Sequence, residues 1–133
     1  MIELKSAAAT LRFMPEPGKP GLYAIVLQGR QGASGTDLKE AINDAFAWMF
    51  INTDALVLRG VIDADNKQCL AMVPHTLGYR IEYGERAHIY TVTLARWAKA
   101  YGLEKALAEM RSSGQAAKAD KLEAAARTAG VLS

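Results

Sequence analysis

Arg30-Gln31-Gly32-Ala33-Ser34-Gly35-Thr36 separates an apolar run, Leu22-Tyr23-Ala24-Ile25-Val26-Leu27, from a stretch in which Leu38, Ala41, Ile42, Ala45, Phe46 and Met49 recur at helical spacing. The run reads as a buried strand and the recurrence as one apolar helix face. A basic, glycine-bearing turn between a strand and a helix start leaves several backbone N–H groups without intrahelical acceptors. With the positive end of the helix dipole they make an anion site, and a phosphate or pyrophosphate is its natural guest. The helix is expected from Thr36 or Asp37 to Ile51, with Asp37 and Glu40 as a capping-box-like pair.

Upstream of this turn, Thr10 to Met14 is a strand candidate, and the breaker cluster Pro15 to Gly21 makes it one arm of a wide hairpin with Tyr23–Gln28. Downstream, Ala55 to Ile62 is almost continuously apolar, which suits a central strand covered on both faces. Asp63-Ala64-Asp65-Asn66 signals a turn and a helix start. A second helix is expected from about Asn66 to Thr76, capped by Gly78 and loosened by Pro74. Tyr79–Tyr83 and His88–Leu94 alternate around Gly84-Glu85-Arg86 as a hairpin. From Ala95 helix formers dominate. Leu103, Ala106, Leu107 and Met110 make one stripe, and Leu122, Ala125, Ala126 and Ala129 a weaker one beyond Ser112-Ser113-Gly114. These read as two appended helices, the second in need of a partner surface.

The chain has 133 residues, half of them hydrophobic, enough to bury a core without staples. A net charge of +2, with basic residues scattered apart from Arg80, Arg86 and Arg96, gives no nucleic-acid face. Cys69 is the single cysteine, so no intrachain disulfide forms and a reducing compartment is expected. No apolar run reaches the roughly 18–20 residues that span a bilayer, and Met1–Lys5 lacks the layout of a signal peptide. The expected location is cytoplasmic, or within a larger assembly. Two histidines without a Cys/His or carboxylate cluster argue against a metal site. Neither a G-K-[ST] loop nor a G-x-S-x-G elbow is present.

The order hairpin, anion turn, helix, buried strand, acidic-Asn turn, helix, Leu-Gly-aromatic, hairpin resembles the C-terminal two thirds of the GCN5-related N-acetyltransferase (GNAT) fold. Arg30 to Gly35 fits the pyrophosphate loop Q/R-x-x-G-x-G/A, with Ala33 in place of a glycine, and Thr36-Asp37-Leu38 follows it. Asp65-Asn66 and Leu77-Gly78-Tyr79 fit the second signature, so the likeness covers roughly Leu22 to Leu94. It implies an α+β fold: a mixed, mostly antiparallel sheet flanked by helices, residues 1–94 forming the core and 95–133 a helical extension. It implies acetyl-CoA as acyl donor and an amine, small or on a protein, as acceptor. Arg30, Gln31, Gly32, Ala33, Ser34, Gly35 and Thr36 would hold the pyrophosphate, and Asn66 would donate to the pantetheine arm. The strand at Leu22–Gln28 would splay from that at Leu56–Val61 and open a cleft for that arm.

Acetyl transfer to an amine calls for a base, an acid and an oxyanion donor. Family members often carry a glutamate on the strand before the loop and a tyrosine in the helix before the Leu-Gly-aromatic ending. Tyr23–Gln28 holds no carboxylate, and Ala71-Met72-Val73-Pro74-His75 no tyrosine. His75 and Tyr79 are the weak catalytic candidates, each with a plainer reading, as a surface histidine and a core aromatic. Cys69 reads as a structural thiol; His88 and Tyr90 share one strand face at half exposure. Residues 1–21 leave no room for the helices that wall the family's acceptor site, so an abbreviated member is expected. The alternative is a GNAT-fold structural or assembly protein that has lost chemistry. Small proteins of this shape occur as virion components of tailed bacteriophages, which would place the chain in a virus particle and give the C-terminal helices a role in self-association or partner binding.

Overall fold

The computed structural model describes residues 1–130, apart from the side chains of Gln68, His75 and Thr76. Among the described residues six strands form one sheet. They are β1 (Ile2–Lys5), β2 (Ala9–Pro15), β3 (Leu22–Gly29), β4 (Val57–Asp63), β5 (Ile81–Glu82) and β6 (Ala87–Thr93), in the order β1-β2-β3-β4-β6-β5. Every pairing is antiparallel except β3 with β4. The helices are α1 (Gly35–Asn52), α2 (Lys67–Ala71) running into a π turn (Met72–Leu77), α3 (Leu94–Tyr101), α4 (Leu103–Ser112) and α5 (Ala116–Thr128). The class is the expected one: mixed α+β, a mostly antiparallel sheet flanked by helices, with a helical C-terminal extension. No helix among the described residues is long and apolar enough to cross a membrane.

The helices cover one face of the sheet. Ala9, Leu11 and Phe13 of β2, Ile25 of β3, Leu58 and Ile62 of β4, and Tyr90 and Val92 of β6 share it by register, and all are buried in the main core. The apolar stripe of α1 lies against them, with Phe46, Met49 and Phe50 fully buried. Among the described residues nothing covers the opposite face. Met14, Val26, Arg59 and Val61 are exposed there, Val61 at 61%. β4 is therefore central but covered on one side only, and its burial alternates along the strand. An apolar run did not distinguish the two cases, because valine and leucine serve a half-exposed strand as well as a buried one.

Local chemistry moved several boundaries. The N-cap of α1 is Ser34, whose Oγ accepts from Asp37 N at 3.1 Å, so the helix starts before the expected Asp37 cap. Pro74 has no N–H to return to the preceding turn, and the chain answers with π spacing before Gly78 closes the segment at φ +78°. β1, unmarked by sequence because it is short and half polar, pairs with β2 from Ile2↔Phe13 to Lys5↔Thr10. Of the expected strand Tyr79–Tyr83 only Ile81–Glu82 pairs.

The C-terminal segment forms three helices, since Gly102 at φ +109° divides α3 from α4. They are continuous with the core. Trp97 stacks on Phe50 with ring centroids 5.0 Å apart and on Tyr101 at 4.8 Å. Of the expected α5 stripe, Leu122 and Ala126 are buried within the chain, joined by Ala119, whereas Ala125 and Ala129 are exposed. Arg111 of α4 meets Asp120 at 3.1 Å and Glu123 at 2.5 Å. Lys118 is 8% exposed, and its Nζ donates to the carbonyls of Phe50, Thr53 (2.7 Å) and Ala55 (3.1 Å). One buried ammonium thus caps the C-terminal end of α1 from another helix. Burial pushes its pKa down to about 8, against the pull of Asp54, which leaves it charged at neutral pH with a donor for each carbonyl.

Replacing Lys118 with methionine keeps the stem's packing and strands three carbonyls. Urea unfolding of Lys118→Met is expected to show a loss of about 2–3 kcal/mol, against less than about 0.5 kcal/mol for the exposed Lys121→Met.

Candidate functional site

The parallel ladder between β3 and β4 is short. It pairs Leu22↔Val57, Tyr23↔Leu58, Ala24↔Arg59 and Ile25↔Gly60, and then stops. β3 continues to Gly29, held by β2 out to Ala9↔Gly29, while β4 continues to Asp63, held by β6 out to Asp63↔Ala87. Each strand follows its outer neighbour, so the two diverge beyond Ile25 and Gly60. The fork opens toward the carboxyl ends of both strands, where open sheets with a parallel pair place ligands. A cleft of about 350 Å³ fills it, lined by Ala24 to Leu27 on β3, Arg59 and Val61 to Asp63 on β4, and Asn66, Cys69, Val73 and Tyr90.

β3 ends at the turn that opens the sequence reading. Arg30 N donates to Ala8 O at 2.8 Å and Ala33 N to Arg30 O at 3.2 Å, while Gly32 at φ +84° reverses the chain. Asp37 N is taken by Ser34 Oγ and Leu38 N by Ser34 O. The N–H groups of Gln31, Gly32, Ser34, Gly35 and Thr36 have no acceptor among the described residues. The turn is exposed, with only Ala33 partly covered, and a Cβ on Gly32 or Gly35 would meet nothing within 4 Å. The corner is open, and from Arg30 to Thr36 its amides are free apart from those of Arg30 and Ala33. Asn66 sits across the fork at the start of α2. Its Oδ1 accepts from Cys69 N at 3.2 Å, and its Nδ2 has no partner among the described residues.

The weak catalytic candidates are not brought to this cleft by any described contact. Tyr79 is 3% exposed, edge-on to Phe46 at 5.9 Å and beneath the Arg96 guanidinium, which is itself held by Gly78 O at 2.9 Å. Burial raises the Tyr79 phenol pKa, and the residue does not line the cleft. The side chain of His75 lies outside the described residues.

Sequence reasoning missed Tyr90, which was expected half-exposed beside His88. His88 does stay at the surface, its Nδ1 accepting from Gly84 N at 3.0 Å. Tyr90 is only 4% exposed, because its cross-strand partner is Gly60. A Cβ at Gly60 would overlap the Tyr90 ring and hydroxyl, so the missing side chain lets the ring lie across β4 and reach the fork. The signal existed: a lone glycine inside an apolar strand marks a close approach. Cys69, read as structural, is half-buried in the cleft wall, where desolvation pushes its thiol pKa up. Among the described residues no group of three His, Cys, Asp or Glu could hold a metal ion.

No protein-family model matches the chain, and no curated protein matches it. Among solved structures, that of a "putative acetyltransferase from Sphaerobacter thermophilus DSM 20745" aligns with a TM-score of 0.44 at 16% identity. The alignment covers 66% of this chain and 61% of that one, so the chain spans less than two thirds of that structure's length.

The Gly60–Tyr90 crossing is open to a direct check. Gly60→Ala is expected to cost about 1–3 kcal/mol by forcing the ring aside. The penalty shrinks in a Tyr90→Ala background, where the overlap is gone, and four thermal melts of the cycle measure the coupling.

Proposed function

We propose that this protein is an acyl-CoA-dependent N-acyltransferase of GNAT-like fold that moves an acetyl group from acetyl-CoA to an amine. One observation carries the reading: a cleft between two diverging parallel strands ends at a turn presenting five free amides. An anion held by those amides at the α1 N-terminus would leave the rest of its molecule running down the cleft. In this reading the amides of Gln31, Gly32, Ser34, Gly35 and Thr36 receive the diphosphate, flanked by the Arg30 side chain and by Ala33. Asn66, with its oxygen spent on the α2 cap, turns its amide hydrogens to the pantetheine arm. Four residue steps along the strand separate Gly29 at the turn from Ile25 at the fork, about 13 Å. That is the scale of an extended arm. The thioester would then sit where the strands part, and an amine would approach it from the bare face of the sheet.

Positioning supplies most of the rate in such an arrangement, because it turns a bimolecular encounter into a local one. The β3 residues lining the cleft carry no carboxylate, which is the observation favouring the second reading, a non-catalytic scaffold of the same shape.

Acetyl-CoA at about a hundred times its Kd is expected to stabilise the fold by about 2.7 kcal/mol, read as a rise in melting temperature of several degrees. Gly35→Trp starts from a position where an added Cβ meets nothing within 4 Å, and is expected to leave the unliganded melting temperature in place while its ring blocks the mouth of the turn and removes most of that rise. A wild-type chain that binds no acetyl-CoA leaves only the scaffold.

A further inference from the structure

We propose that the Tyr90 hydroxyl, carried across β4 by Gly60, is the hydrogen-bond donor for the carbonyl oxygen of an acyl thioester lodged at the fork. The inference rests on the acyltransferase reading and goes beyond it, since neither the pyrophosphate turn nor Asn66 reaches the reacting carbon.

Three observations converge on Tyr90. The residue is more than nine-tenths buried, yet it lines the cleft. Its hydroxyl makes no hydrogen bond among the described residues and is not sealed from solvent, so it opens onto the cleft that the residue lines. Its ring tip lies over Gly60, the last β4 residue paired with β3, which places the hydroxyl at the closed end of the fork.

The chemistry suits a donor that keeps its proton. Attack of the amine lone pair on the carbonyl carbon pushes the C=O π pair onto oxygen, and that oxyanion is the charge a fixed donor stabilises. Collapse re-forms C=O and breaks C–S. The thiolate leaves, the nitrogen loses a proton to water, and water protonates the sulfur. Burial raises the phenol pKa above its ordinary range, with the nearby Cys69 thiol adding to the shift, so the hydroxyl is a poor proton source but remains a protonated donor at all working pH values. Cys69 itself, as a thiol, is a weak donor.

Carbonyl-¹³C-labelled acetyl-CoA bound to the whole chain tests the assignment by infrared difference spectroscopy. In the wild type the bound carbonyl stretch is expected at lower frequency than in solution. In Tyr90→Phe, which keeps the ring over Gly60, the shift is expected to vanish while the Kd for acetyl-CoA changes less than about three-fold. A shift that persists in Tyr90→Phe, or a solution-like carbonyl in bound wild type, overturns the role of Tyr90 and leaves the cofactor reading standing. Should Tyr90→Phe not fold, Tyr90→Leu in the Gly60→Ala background gives the same readout from a filled fork. Failure of the wild type to bind acetyl-CoA overturns both.

Discussion

The ending of the β3–β4 ladder after four pairs is the constraint on which the rest of the molecule depends. A strand in mid-sheet has two neighbours, and here the outer neighbours win: β2 holds β3 from Tyr23 to Gly29, and β6 holds β4 from Val57 to Asp63. Two strands held by partners that twist apart cannot stay paired to each other. Backbone groups that would have closed the ladder instead border a cleft, where a polar chain can occupy them. The free amides at the end of β3 and the cap at the end of β4 sit at the two tips of the same fork because the strands are parallel.

Keeping that fork open requires the surrounding structure to be rigid. α1 spans the connection from β3 to β4, and its burial against the sheet fixes where its N-terminus lies. At its other end Lys118 receives three carbonyls from the helix and the loop after it, so the C-terminal helices hold the same helix that presents the amides. The extension therefore contributes to the site through α1, at a distance, and spends its own apolar faces on the core. Among the described residues the opposite sheet face is left uncovered, with Arg59 and Val61 beside the cleft on that side.

The turn, α1, the central strand, the Asn66 helix start and the Gly78 cap were all legible in sequence. Each rests on interactions within a few residues: helical periodicity, a glycine at positive φ, an Asn side chain capping the next turn. Boundaries slipped where two capping chemistries competed. Ser34 and Asp37 both cap well, and the geometry of the preceding turn favoured Ser34. The hairpins were legible, but β1 was not, because four residues of mixed polarity carry no period until a partner strand supplies one.

What the sequence determined alone was local: a glycine-bearing turn between a strand and a helix, and the succession of elements around it. Only the tertiary structure decided which face of β4 is bare, that Tyr79 belongs to the core, and that Tyr90 reaches the fork. It also decided that Lys118 lies buried against α1. Those facts depend on residues 18 to 68 positions apart meeting across strands and helices. Side-chain type constrains such meetings only weakly, since a tyrosine opposite a glycine and a lysine opposite a helix end look, along the chain, like any other.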